Sequence, residues 1–196
     1  GDSFWKKAMS DYPGYHASYY QIINLRQFSG DYAAAAETAE KLLEMNPQNH
    51  YARFIYASNL ANSGEKTKAE AEFLKTIEET GGNPKYLSAY GMFLQEAGRM
   101  AEAENAFRKA VAADYLYQAG HYNYGNFFLS QGKWQEAEKE YRAALSSEKD
   151  IISVNVDEAD CRKKLAYVIL RQAENAKNNE EMFLMAAEAV KNAPYP

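Results

Sequence analysis

Three histidines, His16, His50 and His121, and one cysteine, Cys161, are the residues of this 196-residue chain best suited to ligating a metal or supplying a nucleophile. Their spacing argues against both roles. A metal ion needs its ligands about 2 Å away, and no HxxxH, CxxC or paired acidic motif accompanies the histidines. Cys161 sits in a helical pattern with no histidine to activate it, so it reads as a packing residue. Acidic residues group as Glu78 with Glu79, Glu102 with Glu104, and Glu136 with Glu138, interleaved with Lys and Arg. That is the pattern of a solvated helix face with local support, for example from Glu138 to Arg142 one turn on. The stretch Gly81-Gly82-Asn83-Pro84 is a turn without the Lys-Ser/Thr of a phosphate loop. No catalytic residue, metal site or cofactor is expected.

Interface chemistry is better supplied. The chain has 16 tyrosines, with Tyr12, Tyr15, Tyr19 and Tyr20 in one cluster and Tyr115, Tyr117, Tyr122 and Tyr124 in another. Tyrosine joins a rigid apolar body to a polar tip, which suits contact surfaces. The net charge of −5 argues against binding a phosphate backbone, so nucleic acid is not an expected partner. No apolar run approaches the roughly 18–20 residues that span a bilayer, so this segment is not expected to insert into one. A lone cysteine forms no internal disulfide, which fits a cytoplasmic or a periplasmic soluble protein and leaves the compartment open.

The elements that position these residues repeat. Gly30, Gly64, Gly98 and Gly132 lie 34 residues apart, and each is followed five residues later by an alanine: Ala35, Ala69, Ala103 and Ala137. A fixed period of this length signals one supersecondary unit copied in series. Numbering each unit from His16, His50, Pro84 and Gln118 puts the glycines at position 15 and the alanines at position 20. Position 8 holds Ile23, Ala57, Gly91 and Gly125, and position 24 holds Ala39, Phe73, Phe107 and Tyr141. Each unit therefore reads as helix A (positions 1–14), a glycine turn and helix B (positions 17–30). Small residues at 8 and 20 let the two helices approach closely. The residues at 24 and 28 fill the space against the next unit, because no unit buries its apolar face alone.

This pattern resembles the tetratricopeptide repeat family over residues 16–150. Pro47 matches that family's proline at position 32, Ala110 and Ala144 match its alanine at 27, and tyrosines recur at position 7 as Tyr56, Tyr90 and Tyr124. Position 4 departs from the family's bulky apolar residue, holding Tyr19, Arg53, Leu87 and His121. The resemblance implies an all-α fold, an α-solenoid in which stacked helix-turn-helix repeats wind into a right-handed superhelix. It also implies that A helices line a concave groove, with positions 2, 5, 9 and 12 touching a bound protein or peptide segment. Carried over, the partner-binding residues are Tyr20, Asn24, Gln27, Tyr51, Phe54, Met92, Gln95, Tyr122 and Asn126. The subtype that clamps a C-terminal carboxylate is not expected, since Asn24 matches it but Tyr20, Ser88 and Met92 stand where it has basic side chains.

The division expected is 1–15 as helix B of a preceding partial repeat, then repeats at 16–49, 50–83, 84–117 and 118–150. Residues 151–196 form a divergent fifth repeat with capping helices at about 157–178 and 179–192, and Pro194 at position 32. Trp5, Ala8 and Met9 match positions 24, 27 and 28 of the missing repeat, so the chain is expected to be cut from a longer array. The resulting functional reading is a non-enzymatic interaction scaffold or adaptor. Two alternatives stand beside it: a recruitment region of a larger multi-domain protein or secretion or assembly complex, and a module that self-associates through its terminal helices.

Overall fold

Each of the four glycines at position 15 takes the left-handed backbone that L side chains avoid, with φ of 77° at Gly30, 96° at Gly64, 76° at Gly98 and 69° at Gly132. The chain then folds back through the same pair of hydrogen bonds every time. At the first, Gly30 N–H reaches Gln27 O (3.0 Å) and Asp31 N–H reaches Arg26 O (2.8 Å). The 2.9 Å bonds from Glu65 to Leu60 and from Arg99 to Leu94, and the 3.1 Å bond from Lys133 to Phe128, repeat it. These bonds satisfy carbonyls that a helix C-terminus otherwise leaves unpaired.

The computed structural model describes residues 2–11, 16–146, 157–174 and 179–192. Among them are eleven helices and no strand. They are α1 (Asp2–Asp11), α2 (His16–Phe28), α3 (Tyr32–Met45), α4 (His50–Asn62), α5 (Lys66–Glu79), α6 (Pro84–Glu96), α7 (Met100–Ala113), α8 (Gln118–Ser130), α9 (Trp134–Ser146), α10 (Glu158–Ala173) and α11 (Asn179–Asn192). The chain divides into two compact units, Gly1–Gly82 with α1–α5 and Asn83–Pro196 with α6–α11. Side-chain caps set the starts of α3, α4, α6 and α10. Asn49 accepts from Ala52 N–H (3.0 Å), Asn83 from Lys85 N–H (3.0 Å) and Asp157 from Ala159 N–H (3.0 Å).

Inside each A/B pair the packing follows residue size. The four position-20 alanines are fully buried. A Cβ added to Gly91 would lie 2.9 Å from the Phe107 ring, and one on Gly125 would lie 2.7 Å from the Tyr141 ring. Position 8 is therefore glycine opposite Phe107 and Tyr141, and no larger than alanine, Ala57, opposite Phe73. The first pair reverses the sizes, with Ile23 against the small Ala39, both in one core cluster with Tyr19, Ala35, Leu42 and Ala52. Helix α10 ends at Ala173, where Glu174 N–H closes the last turn on Leu170 O (3.2 Å); residues 175–178 of the expected span lie outside the described residues. The side chains of Trp5, Ala8 and Met9, residues 12–15 with Tyr12 and Tyr15, the stretch 147–156 and Pro194 lie outside the described residues.

Candidate functional site

In the first unit, the A helices α2 and α4 present an aromatic run. Tyr20 lies 5.6 Å from Tyr51 between ring centroids, Tyr51 stacks on Phe54 at 6.3 Å, and Phe54 leans on the buried Phe73 at 6.3 Å. Such pairs hold their rings rigid at little entropic cost to a partner. The Tyr20 hydroxyl accepts from Asn49 Nδ2 at 3.1 Å. Tyr51 stays 45% exposed and Asn24 is exposed one turn beyond Tyr20. Gln27 faces differently, since its Nε2 donates to Asn59 Oδ1 on α4 at 3.1 Å, bracing one A helix against the next.

The second unit gives the equivalent positions other surroundings. Met92 is exposed on α6, while Gln95 braces α6 to α8 through Ser130 Oγ at 3.1 Å. Asn123 Nδ2 bonds Ser88 Oγ at 3.0 Å across the same two helices. Tyr122 and Asn126 are held by α10. Lys164 Nζ donates to the Tyr122 hydroxyl (2.5 Å) and to Asn126 Oδ1 (3.0 Å), and it lies 4.5 Å from the Tyr122 ring centroid. The Tyr122 hydroxyl donates in turn to Asp160, which pairs with Lys164 at 3.0 Å, and the Tyr141 hydroxyl donates to Asn126 Oδ1 at 2.9 Å. The Tyr122 hydroxyl and then Lys164 hold the Asp160 carboxyl below its ordinary value. Burial works against the Lys164 charge, but its bonds to Tyr122 and Asp160 outweigh it and raise the amine.

A second set of polar contacts joins the second and the fourth helix pair to the turn before each. Arg53, buried at position 4, bonds the Pro47 carbonyl (2.5 Å) and Glu72 on α5 (3.1 Å). Glu79 faces Arg53 Nε at 3.2 Å and His50 Nδ1 at 3.3 Å. Glu79 thus belongs to a cluster rather than to a purely solvated face. At the same position of the fourth pair, buried His121 meets Glu140 at 2.7 Å and the Tyr115 carbonyl at 3.0 Å. The expected Glu138–Arg142 pair forms at 2.6 Å, and it also reaches other helices, Arg142 bonding Glu188 on α11 and Glu138 accepting from Gln172 on α10. Sequence reasoning missed Arg53, His121, Asp160 and Lys164. The signal for the first two was the non-apolar residue at position 4 facing a glutamate at position 23. For the last two no signal existed, because α10 falls outside the 34-residue register.

Cys161 is fully buried with its thiol against the Tyr141 carbonyl (3.7 Å), and burial pushes it up to about 12, far from a thiolate at neutral pH. Among the described residues no group of three His, Cys, Asp or Glu could hold a metal ion, and no helix is long and apolar enough to cross a membrane.

A tetratricopeptide repeat profile matches residues 20–84 and 93–150. Several solved structures share the fold at low identity. MamA is 15% identical with a TM-score of 0.60, covering 87% of this chain and 94% of MamA. PilF of Pseudomonas aeruginosa is 18% identical with a TM-score of 0.65, covering 92% and 78%. YrrB, described as a tetratricopeptide repeat protein with an unusual peptide-binding site, is 16% identical with a TM-score of 0.55, covering 98% and 93%. No curated protein matches the sequence.

Proposed function

The chain belongs to the tetratricopeptide repeat family, and from that premise we propose that it is a non-enzymatic scaffold whose α2/α4 face receives a segment of a partner protein. The supporting observation is the run Tyr20–Tyr51–Phe54, rigid and uncharged, with Tyr51 and Asn24 exposed beside it. Aromatic rings supply contact area, and an exposed amide both donates to and accepts from an extended backbone. YrrB's peptide-binding site lends the reading support by likeness of fold. Met92 offers an adaptable apolar contact on α6. Gln27 and Gln95 contribute by bracing neighbouring A helices. Tyr122 and Asn126 contribute after Lys164 has released them.

Peptides selected from a displayed random library against the chain test this reading. Asn24→Ala with Tyr51→Ala is expected to weaken the selected peptides about tenfold or more while the helical spectrum is unchanged. Undiminished binding by that double variant would remove the α2/α4 face from consideration.

A second reading, self-association, is supported by α11. Phe183 and Leu184 there are 68% and 67% exposed, next to exposed Met182. Sedimentation over a range of concentrations should show a dimer that Phe183→Ser abolishes. A monomer throughout discards this reading.

A further inference from the structure

Arg53 and His121 share position 4 and make the same two contacts. Each reaches back to a position-32 carbonyl in the preceding turn, that of Pro47 or Tyr115, and across to a position-23 carboxylate, that of Glu72 or Glu140. Arginine does this with donors to spare, since its guanidinium carries five N–H groups and stays protonated. Imidazole has only two nitrogens, and here both face oxygen.

The proton count follows from the partners. A carbonyl only accepts, so His121 Nε2 carries a hydrogen toward Tyr115. Nδ1 and Glu140 Oε2, 2.7 Å apart, need one further proton between them. A neutral imidazole and an ionised carboxylate bring one proton in total, whereas this arrangement holds two. We propose that the junction leading into α8 is a proton-dependent clasp, in which His121 does the work of an arginine only while it and Glu140 retain that second proton.

The surroundings of the ring are mixed. From α9, Glu140 favours the proton, while Lys139 and Arg142, which line the same cavity of about 520 Å³, oppose it. Arg142 is partly neutralised by Glu138 and Glu188. The turn contributes the Tyr115 ring, edge-on to the imidazole at 5.1 Å, and α7 contributes Val111 and Ala112 to the cavity lining. Loss of that proton would leave a bare ring nitrogen facing a carboxylate oxygen at 2.7 Å, so raising the pH works against the clasp. The Arg53 clasp has no such dependence.

Nitrogen-15 spectra of the His121 ring in the intact chain test the proton count directly. Two protonated-type ring nitrogens at about pH 8 are expected, or one together with a protonated Glu140 carboxyl seen by carbon-13. A bare Nδ1 facing an ionised Glu140 would overturn the proposal. The second measurement compares urea midpoints of the wild type and His121→Arg from about pH 6 to about pH 9. The wild-type midpoint should fall relative to the variant's as pH rises, and parallel profiles would overturn the clasp as well. Should His121→Arg fail to fold, the ring spectra still decide.

Discussion

The A-helix faces of the two units occupy the same repeat positions and differ in what holds them: Tyr20 and Tyr122 are both half-buried, whereas Asn24 is exposed and Asn126 is not. On α2 and α4, Tyr20, Tyr51 and Phe54 lie against one another and leave Asn24 exposed. On α8, Tyr122 and Asn126 stand at the positions of Tyr20 and Asn24, yet the ion-paired Lys164 and Asp160 of α10 hold them through three hydrogen bonds, and Tyr141 adds a fourth to Asn126. A repeat position names a place on a helix. What that place can bind depends on the helix that comes next, and α10 does not follow the repeat.

The largest expected effect breaks what the two faces share, the close approach of A and B helices beneath them. Gly125→Leu drives a side chain into the Tyr141 ring. It should cost about 3 kcal/mol in urea denaturation and release Asn126 along with it. An unchanged midpoint would mean that α8 and α9 are not held at the spacing on which both faces rest.

The next effect probes the clasp that orders α4 on the first unit's face. Arg53→Leu leaves Glu72 and Glu79 without their main counter-charge and should cost about 2 kcal/mol. Adding Glu72→Ala recreates the Leu87/Ala106 combination of the third pair and should restore much of the loss. Additive losses in that cycle would show that the two residues do not act together.

Opening the second face is a smaller step. Lys164→Met removes donors from Tyr122 and Asn126 and should cost about 1 kcal/mol, discounted for partial exposure. If accessibility alone separates the faces, this variant gains affinity for peptides that bind α2/α4. The same cluster has an acid signature. Asp160 is depressed, so its stabilisation is present above the ordinary carboxylate value of about 3.9 and is lost as pH falls through the lower folded value. Asp160→Asn should flatten that part of the acid denaturation curve, and an unaltered curve would argue that the carboxylate contributes nothing.

The smallest effect on stability sharpens the contrast. Tyr51→Ala should shift the midpoint by no more than about 0.5 kcal/mol, as an exposed position does, while reducing peptide capture more than any single change on α8.

Much of the helical framework was legible in the chain itself. The 34-residue glycine period located the turns, because only glycine takes the left-handed backbone at no steric cost, and α11 is helical throughout Asn179–Asn192, where a final helix was expected. Size at positions 8 and 24 was legible as a rule, though the swap to Ile23 with Ala39 shows that summed volume matters more than either residue alone. The polar clasps were half legible. Arg53 and His121 stood out at position 4, but their partners at position 23 read as ordinary helix-surface residues until the fold brought them together.

The linear order of residues therefore determined local matters: where helices begin, where they turn back, and which faces are apolar. These depend on backbone conformation and on neighbours within a turn or two. Only the tertiary structure decided which amides and phenols stay available. That outcome depends on contacts such as Lys164 to Tyr122, 42 residues apart, and no periodicity in the chain encodes a partner that lies outside the period.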